Sequence, residues 1–124
     1  MTPLGKTRWA IAEGYIPPDD ASKARAFVSH EAACILNTGD ADAHLKITLF
    51  FGDREPSGPH LVTVGARRTL HLRLNELGQP AAVAPGVDYS TVIESDVPIV
   101  VQHTRLDSRK AELALLSTIA FAAD

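Results

Sequence analysis

The sequence is short of cysteine, aromatic residues, long apolar runs and positive charge, and each shortage excludes something. A single cysteine, Cys34, cannot close an intrachain disulfide. That removes the main reason for placing so small a protein in an oxidising compartment, and a cytoplasmic location is the expectation. The most apolar stretch, LALLSTIAFAA at 113–123, is well short of the ~20 residues that a spanning helix needs. The opening MTPLGKTRWAIAEGY carries no apolar signal core, so any membrane role is expected to run through a partner. Twelve Lys and Arg against fifteen Asp and Glu leave a net charge of −3 and a pI near 5.9. Such a balance does not suit a protein that coats nucleic acid, because non-specific binding depends on neutralising several phosphates at once.

Catalytic and metal-binding signatures are missing too. There is no G-x-S-x-G elbow and no glycine-rich phosphate loop, and Ser29 beside His30 cannot pair through side chains that point to opposite faces of a strand. His30, His44, His60, His71 and His103 are scattered over separate segments without metal-ligand spacing. Neither a metal, a cofactor nor a catalytic residue is expected. Cys34, set among apolar neighbours in EAACILN, reads as an inert buried thiol.

What is present is a strand pattern. In HLKITLFF, Leu45, Ile47, Leu49 and Phe51 alternate with His44, Lys46 and Thr48; in RTLHLRL, Leu70, Leu72 and Leu74 alternate with Thr69, His71 and Arg73. Such alternation is that of half-buried strands. NTGDADA, GDREPSGP and GQPAAVAPG are turn-rich and cut the chain into strand-sized pieces, with TRWAIAE, FVSHEAACILN, LVTVGA, YSTVIES and PIVVQHTRL filling the gaps. The expectation is one all-β domain over 1–124, a single-domain antiparallel β-sandwich with little helix. Pro98 should open its strand, a turn should lie near LNELG, and LDSRKAELALLS at 106–117, capped by Asp107 or Ser108, is the helix candidate. The final LSTIAFA reads as strand at least as well, which favours a short helical turn followed by a strand.

Polar residues cluster at strand ends. In VVQHTRLDSR (100–109) an apolar run passes without a break into Gln102, His103, Thr104, Arg105, Asp107 and Arg109. His103 and Arg105 continue the face of Ile99 and Val101, so they should leave the core at its rim. Together with Trp9, Glu13, His30, Glu31, Gln102 and Asp107 they form a candidate ligand-binding set, since rings, carboxylates and guanidinium forks hydrogen-bond and stack on polar small molecules. The competing reading is that these groups are internal ion pairs. Arg67, Arg68, His71 and Arg73 form a candidate basic stripe for DNA. Glu13, Glu31 and His103 are the acid–base candidates should the protein be an enzyme on a sugar derivative.

WAIAEGYIPP, SHEAACILN, PIVVQHTRLDSR and LLSTIA, in that order, resemble the motifs of the sensory-rhodopsin-transducer family from Trp9 to about Ala122. The resemblance implies a jelly-roll-like β-sandwich assembled as a homotetramer, with no known catalytic activity, within a wider class of prokaryotic small-molecule binding domains proposed to recognise sugars or related metabolites. It also implies two partners: the cytoplasmic side of a membrane sensory rhodopsin, on which the namesake docks, and promoter DNA, whose binding has been proposed for the namesake. No extended polar tail follows STIAFA here, so the small polar metabolite is the partner expected to carry over best.

Overall fold

Strand β3 (Ala43–Phe51) shows how the pattern becomes structure: Ala43, Leu45, Ile47 and Leu49 are buried while His44, Lys46 and Phe50 face water. The computed structural model describes residues 2–20, 22–110 and 112–123. It is all-β and antiparallel, with β1 (Lys6–Tyr15), β2 (His30–Asn37), β3, β4 (Ser57–Val64), β5 (Arg68–Arg73), β6 (Asp88–Asp107), β7 (Ala114–Ile119) and β8 (Phe121–Ala123). The helical content among the described residues is two 3₁₀ turns, Arg25–Phe27 and Leu74–Glu76, the second at the predicted LNELG turn.

The organising element is β6. Its first half lies between β1 and β3, in the order β4-β3-β6-β1-β8, and its second half lies between β2 and β7, with β5 beyond β2. Residues from both halves pack one core: Ile93 and Ile99 of β6 with Leu45, Ile47 and Leu49 of β3, and Val101 with Ala33 and Ile35 of β2. YSTVIES and PIVVQHTRL, expected as separate strands, are thus one strand of 20 residues. Pro98 lies inside it rather than at its start. The β3 ladder reaches Ser95, the β2 ladder begins at Val100, and the β1 register jumps between Glu94 and Ile99. Proline therefore falls at the irregular seam where β6 changes partners, and its missing N–H breaks no regular ladder bond.

The helix expected over 106–117 does not form. Leu106 and Asp107 stay in β6, and Ala114 to Ile119 form β7, paired from Asp107↔Ala114 to Gln102↔Ile119. Those ladder bonds occupy backbone groups that a helix would need. Ser108 caps nothing; its N–H donates to Ser29 Oγ at 2.9 Å, and its hydroxyl donates to Asp19 Oδ2 at 3.0 Å. Asp19 also accepts from Lys23 Nζ at 2.8 Å and from the Ser29 N–H and hydroxyl, each at 2.8 Å. This network ties the loop after β1 to the end of β6. Cys34 also departs from expectation. It is half-buried on the outer face of β2, with its Sγ 3.7 Å from Thr104 Oγ1.

Strand β7 is exposed along its whole length. Leu113, Leu115, Leu116, Ile119 and Phe121 are each more than half exposed, an apolar rim on an otherwise ordinary surface.

One glycine is dictated by close approach. Gly14 of β1 lies against Tyr89, so a Cβ there would come within 2.6 Å of the Tyr89 carbonyl oxygen and 2.8 Å of its ring. Gly14→Ala is expected to cost about 1–3 kcal/mol in chemical denaturation, as overpacking does. An unchanged midpoint would show that the ring has room to move.

Candidate functional site

Inward parity marks both halves of β6: Tyr89, Thr91 and Ile93, then Ile99, Val101 and His103 are buried, and Arg105 is half-buried at the end of the series, before Leu106 of the other parity turns inward. Antiparallel pairing sets Glu31 of β2 opposite Arg105 and Ala33 opposite His103. The result is a carboxylate inside the protein: the Glu31 side chain has no exposed surface. Its Oε1 accepts the backbone N–H of Tyr15 at 2.8 Å and the hydroxyl of Tyr89. Its Oε2 accepts Nε2 of His103 at 3.0 Å and Nε of Arg105 at 2.7 Å. An ionised carboxylate only accepts, so His103 carries its proton on Nε2.

The Glu31 backbone is fixed as well, its N–H donating to Asn75 Oδ1 at 3.0 Å. Burial pushes the Glu31 carboxyl up, but the hydrogen bonds from His103, Tyr89 and Arg105 outweigh it and hold the group below its ordinary value of 4.5. Tyr89 is driven the other way, well above its ordinary value, by burial and then by the charge and hydrogen bond of Glu31. It remains a donor.

Arg105 bridges two carboxylates rather than forking onto one. Nε holds Glu31 while Nη2 donates to Glu13 Oε1 at 2.7 Å. Burial lowers the Arg105 pKa, and the hydrogen bonds and charges of Glu13 and Glu31 outweigh it, raising the value overall. Glu13 reaches this position through a β-bulge: between Ile11↔Thr91 and Gly14↔Tyr89, β1 contains one more residue than β6. The Glu13 side chain is 70% exposed, so its pair contributes little to stability. The Glu31 pair differs, because removing Arg105 would leave a buried charge short of a partner.

Beside this cluster a groove of about 340 Å³ opens between β1, β6, β7 and β8. Glu13, His103, Arg105 and Thr118 supply its polar end; Leu116, Ile119 and Phe121 form apolar walls over Ala10 and Ala12. Such a volume suits a small ligand.

Of the residues named from sequence, the structure brings Glu13, Glu31, His103 and Arg105 together and separates the rest. Trp9 is a core residue whose indole N–H is shared between the carbonyls of Lys6 at 3.0 Å and Ile99 at 3.1 Å. His30 is on the outer face of β2, its Nδ1 2.7 Å from the Val28 carbonyl oxygen. Gln102 is exposed, opposite Cys34 and Ile119. Asp107 pairs with Arg109 at 2.7 Å. The four basic residues also divide. Arg67 sits in the β4–β5 turn, 3.7 Å from Asp40, and Arg68 bonds the Arg67 carbonyl, whereas His71 and Arg73 line a groove on the outer face. Sequence reasoning missed Tyr89 and Asn75. The available signal for Tyr89 was its parity with Thr91 and Ile93. Among the described residues no group of His, Cys, Asp or Glu side chains is arranged to hold a metal, and no helix is long and apolar enough to cross a membrane.

The family model described as Anabaena sensory rhodopsin transducer matches residues 4–122. Among solved structures, the Anabaena sensory rhodopsin transducer is similar at 56% identity and a TM-score of 0.77, over 90% of this chain and 96% of that one. A crystal structure described as Thermotoga maritima 1070 is similar at 39% identity and a TM-score of 0.84, over 96% of each chain. No curated protein sequence matches.

The buried carboxylate generates a pH prediction. Because the folded Glu31 pKa is lowered, its contribution to stability is present above the ordinary 4.5 and is lost as pH falls through the folded value. Glu31→Gln turns one acceptor oxygen into a donor facing donors, and should cost about 3–5 kcal/mol near neutral pH. The variant's stability should also fall less steeply than the parent's between roughly pH 5 and 3. Parallel curves from urea denaturation across that range would contradict a charged Glu31.

Proposed function

The chain belongs to the Anabaena sensory rhodopsin transducer family, and from that premise we propose that it is a cytoplasmic, non-catalytic signalling module, a single domain over 1–124 that binds a small polar metabolite. The observation that carries this reading is the half-buried Arg105. Glu31 and Glu13 hold its guanidinium in place at the mouth of the groove, and its Nη1 has no hydrogen-bond partner among the described residues. A pre-positioned planar donor beside an exposed carboxylate, with Phe121 as an aromatic wall, suits the hydroxyl pairs and apolar faces of a sugar or sugar acid. Glu31 is committed to its four donors, so it is not free to act as a base. That supports binding over turnover.

The exposed apolar rim of β7 and β8 supports a second element of the proposal, assembly into a homotetramer that covers it. A sensory rhodopsin is the partner that the relative's name attaches to the relative; for this chain a membrane receptor of that kind is a proposed output of the assembled module. DNA binding is less well supported, because the basic residues divide between a turn and an outer groove and the net charge is −3.

Two outcomes are expected. Thermal-shift screening against sugars and sugar acids at millimolar concentration should find a stabilising ligand. Arg105→Lys, which keeps charge but cannot bridge both carboxylates, should weaken that ligand at least about tenfold while costing about 1–3 kcal/mol of stability. A ligand bound equally well by the variant would remove Arg105 as the reader. Separately, light scattering should give about four times the chain mass, and Ile119→Asp should lower it. A monomer at micromolar concentration would contradict the assembly.

A further inference from the structure

The outer face of the β2–β5–β6 ladders carries a second groove, of about 350 Å³, on the opposite side of β2 from Glu31. Pairing of Ala32 with Arg73 and of Cys34 with His71 places these two side chains on one stretch of that face, and Thr104 of β6 lies across from them beside Ala32. Arg25, from the 3₁₀ turn, closes the end.

The charges of this groove do not balance. Arg25 is matched by Glu76, its Nε and Nη2 donating to the two carboxylate oxygens at 3.0 and 2.6 Å. Arg73 has no hydrogen-bond or ion-pair partner among the described residues, although it is half-buried. Burial, and then the neighbouring Arg25 charge, hold its pKa below the ordinary value despite the opposing influence of Glu76. Leaving a guanidinium partly desolvated and facing another cation costs stability, and an anion seated between them would relieve it.

We propose that this outer groove is an anion site for a small phosphate-bearing metabolite, with Arg73 as its principal contact and His71 as a flanking donor. A guanidinium fork matches phosphate oxygens, and an imidazole N–H is a common additional partner. The volume leaves space for a sugar-sized remainder. The site shares no lining residue with the groove beside Arg105, and it stands whether or not that groove binds a ligand.

The test is titration of the full chain with glucose 6-phosphate, inorganic phosphate and unphosphorylated glucose in 0.1 M sodium chloride, followed by calorimetry and by amide NMR. The expected result is saturable binding of both phosphates with shifts at Ala32, Cys34, His71, Arg73 and Thr104, and no glucose-induced shifts at those amides. Arg73→Gln should weaken phosphate binding at least tenfold. His71→Ala, a change at an exposed position, should weaken it severalfold, and decides the matter if Arg73→Gln does not fold. Absence of saturable binding, unchanged affinity in these variants, or shifts confined to Glu13, Arg105 and Ile119 would overturn the proposal.

Discussion

Everything about the site follows from one constraint: Glu31 is charged, and it is inside. An ionised carboxylate withdrawn from water costs several kcal/mol even after the protein relaxes. Here the cost is offset by filling its acceptor positions with four donors, from the Tyr15 backbone, Tyr89, His103 and Arg105. Those donors come from β1 and from both ends of β6, so the carboxylate also fixes how the two halves of β6 sit around the core. Arg105 is the member of the set that reaches the surface. The same interaction that neutralises Glu31 therefore orients a guanidinium at the mouth of the groove.

Strand β6 makes this arrangement possible. A strand of 20 residues carries core residues on either side of the Pro98 seam and the polar members Tyr89, His103 and Arg105 toward its ends, all three on the inward face. Two local irregularities adapt it. The Pro98 seam lets it change partners, and the bulge in β1 brings Glu13 to Arg105. β7 and β8 then complete the groove with apolar walls exposed in the isolated chain, so the groove shares residues with the surface proposed for assembly. Burying those walls between subunits would exclude water from the Arg105 end and strengthen its hydrogen bonds.

Local alternation made much of this legible. The strands β3 and β5, the inward run Ile99–Val101–His103–Arg105 and the all-β class all follow from period-two patterning. The long-range decisions were not legible. That YSTVIES and PIVVQHTRL are one strand depends on partners far away along the chain, from Phe51 opposite Tyr89 to His30 opposite Leu106. The segment 106–117 has helical spacing, yet the β6 ladder captures it. Trp9 reads as a ligand-stacking residue in a polar stretch, but its N–H is satisfied by two carbonyls inside the core. His30 and Glu31 are adjacent in sequence and so point to opposite faces, which separates them into different grooves. Only tertiary structure shows that Glu31, not His30, belongs with His103.

The family assignment and the geometry meet at the Arg105 groove. Family membership supplies the class of protein, and the Glu31-centred cluster supplies the physical reason for which a recognition site is proposed at this place. The most direct measurement is a crystal structure of the protein with a stabilising sugar or sugar acid. The account predicts ligand density at the polar end of the groove, hydrogen-bonded to Arg105 and Glu13 and lying against Phe121, with the Glu31 cluster unchanged. Ligand bound elsewhere with this groove empty, or Arg105 swung away from Glu31 to reach it, would contradict the account.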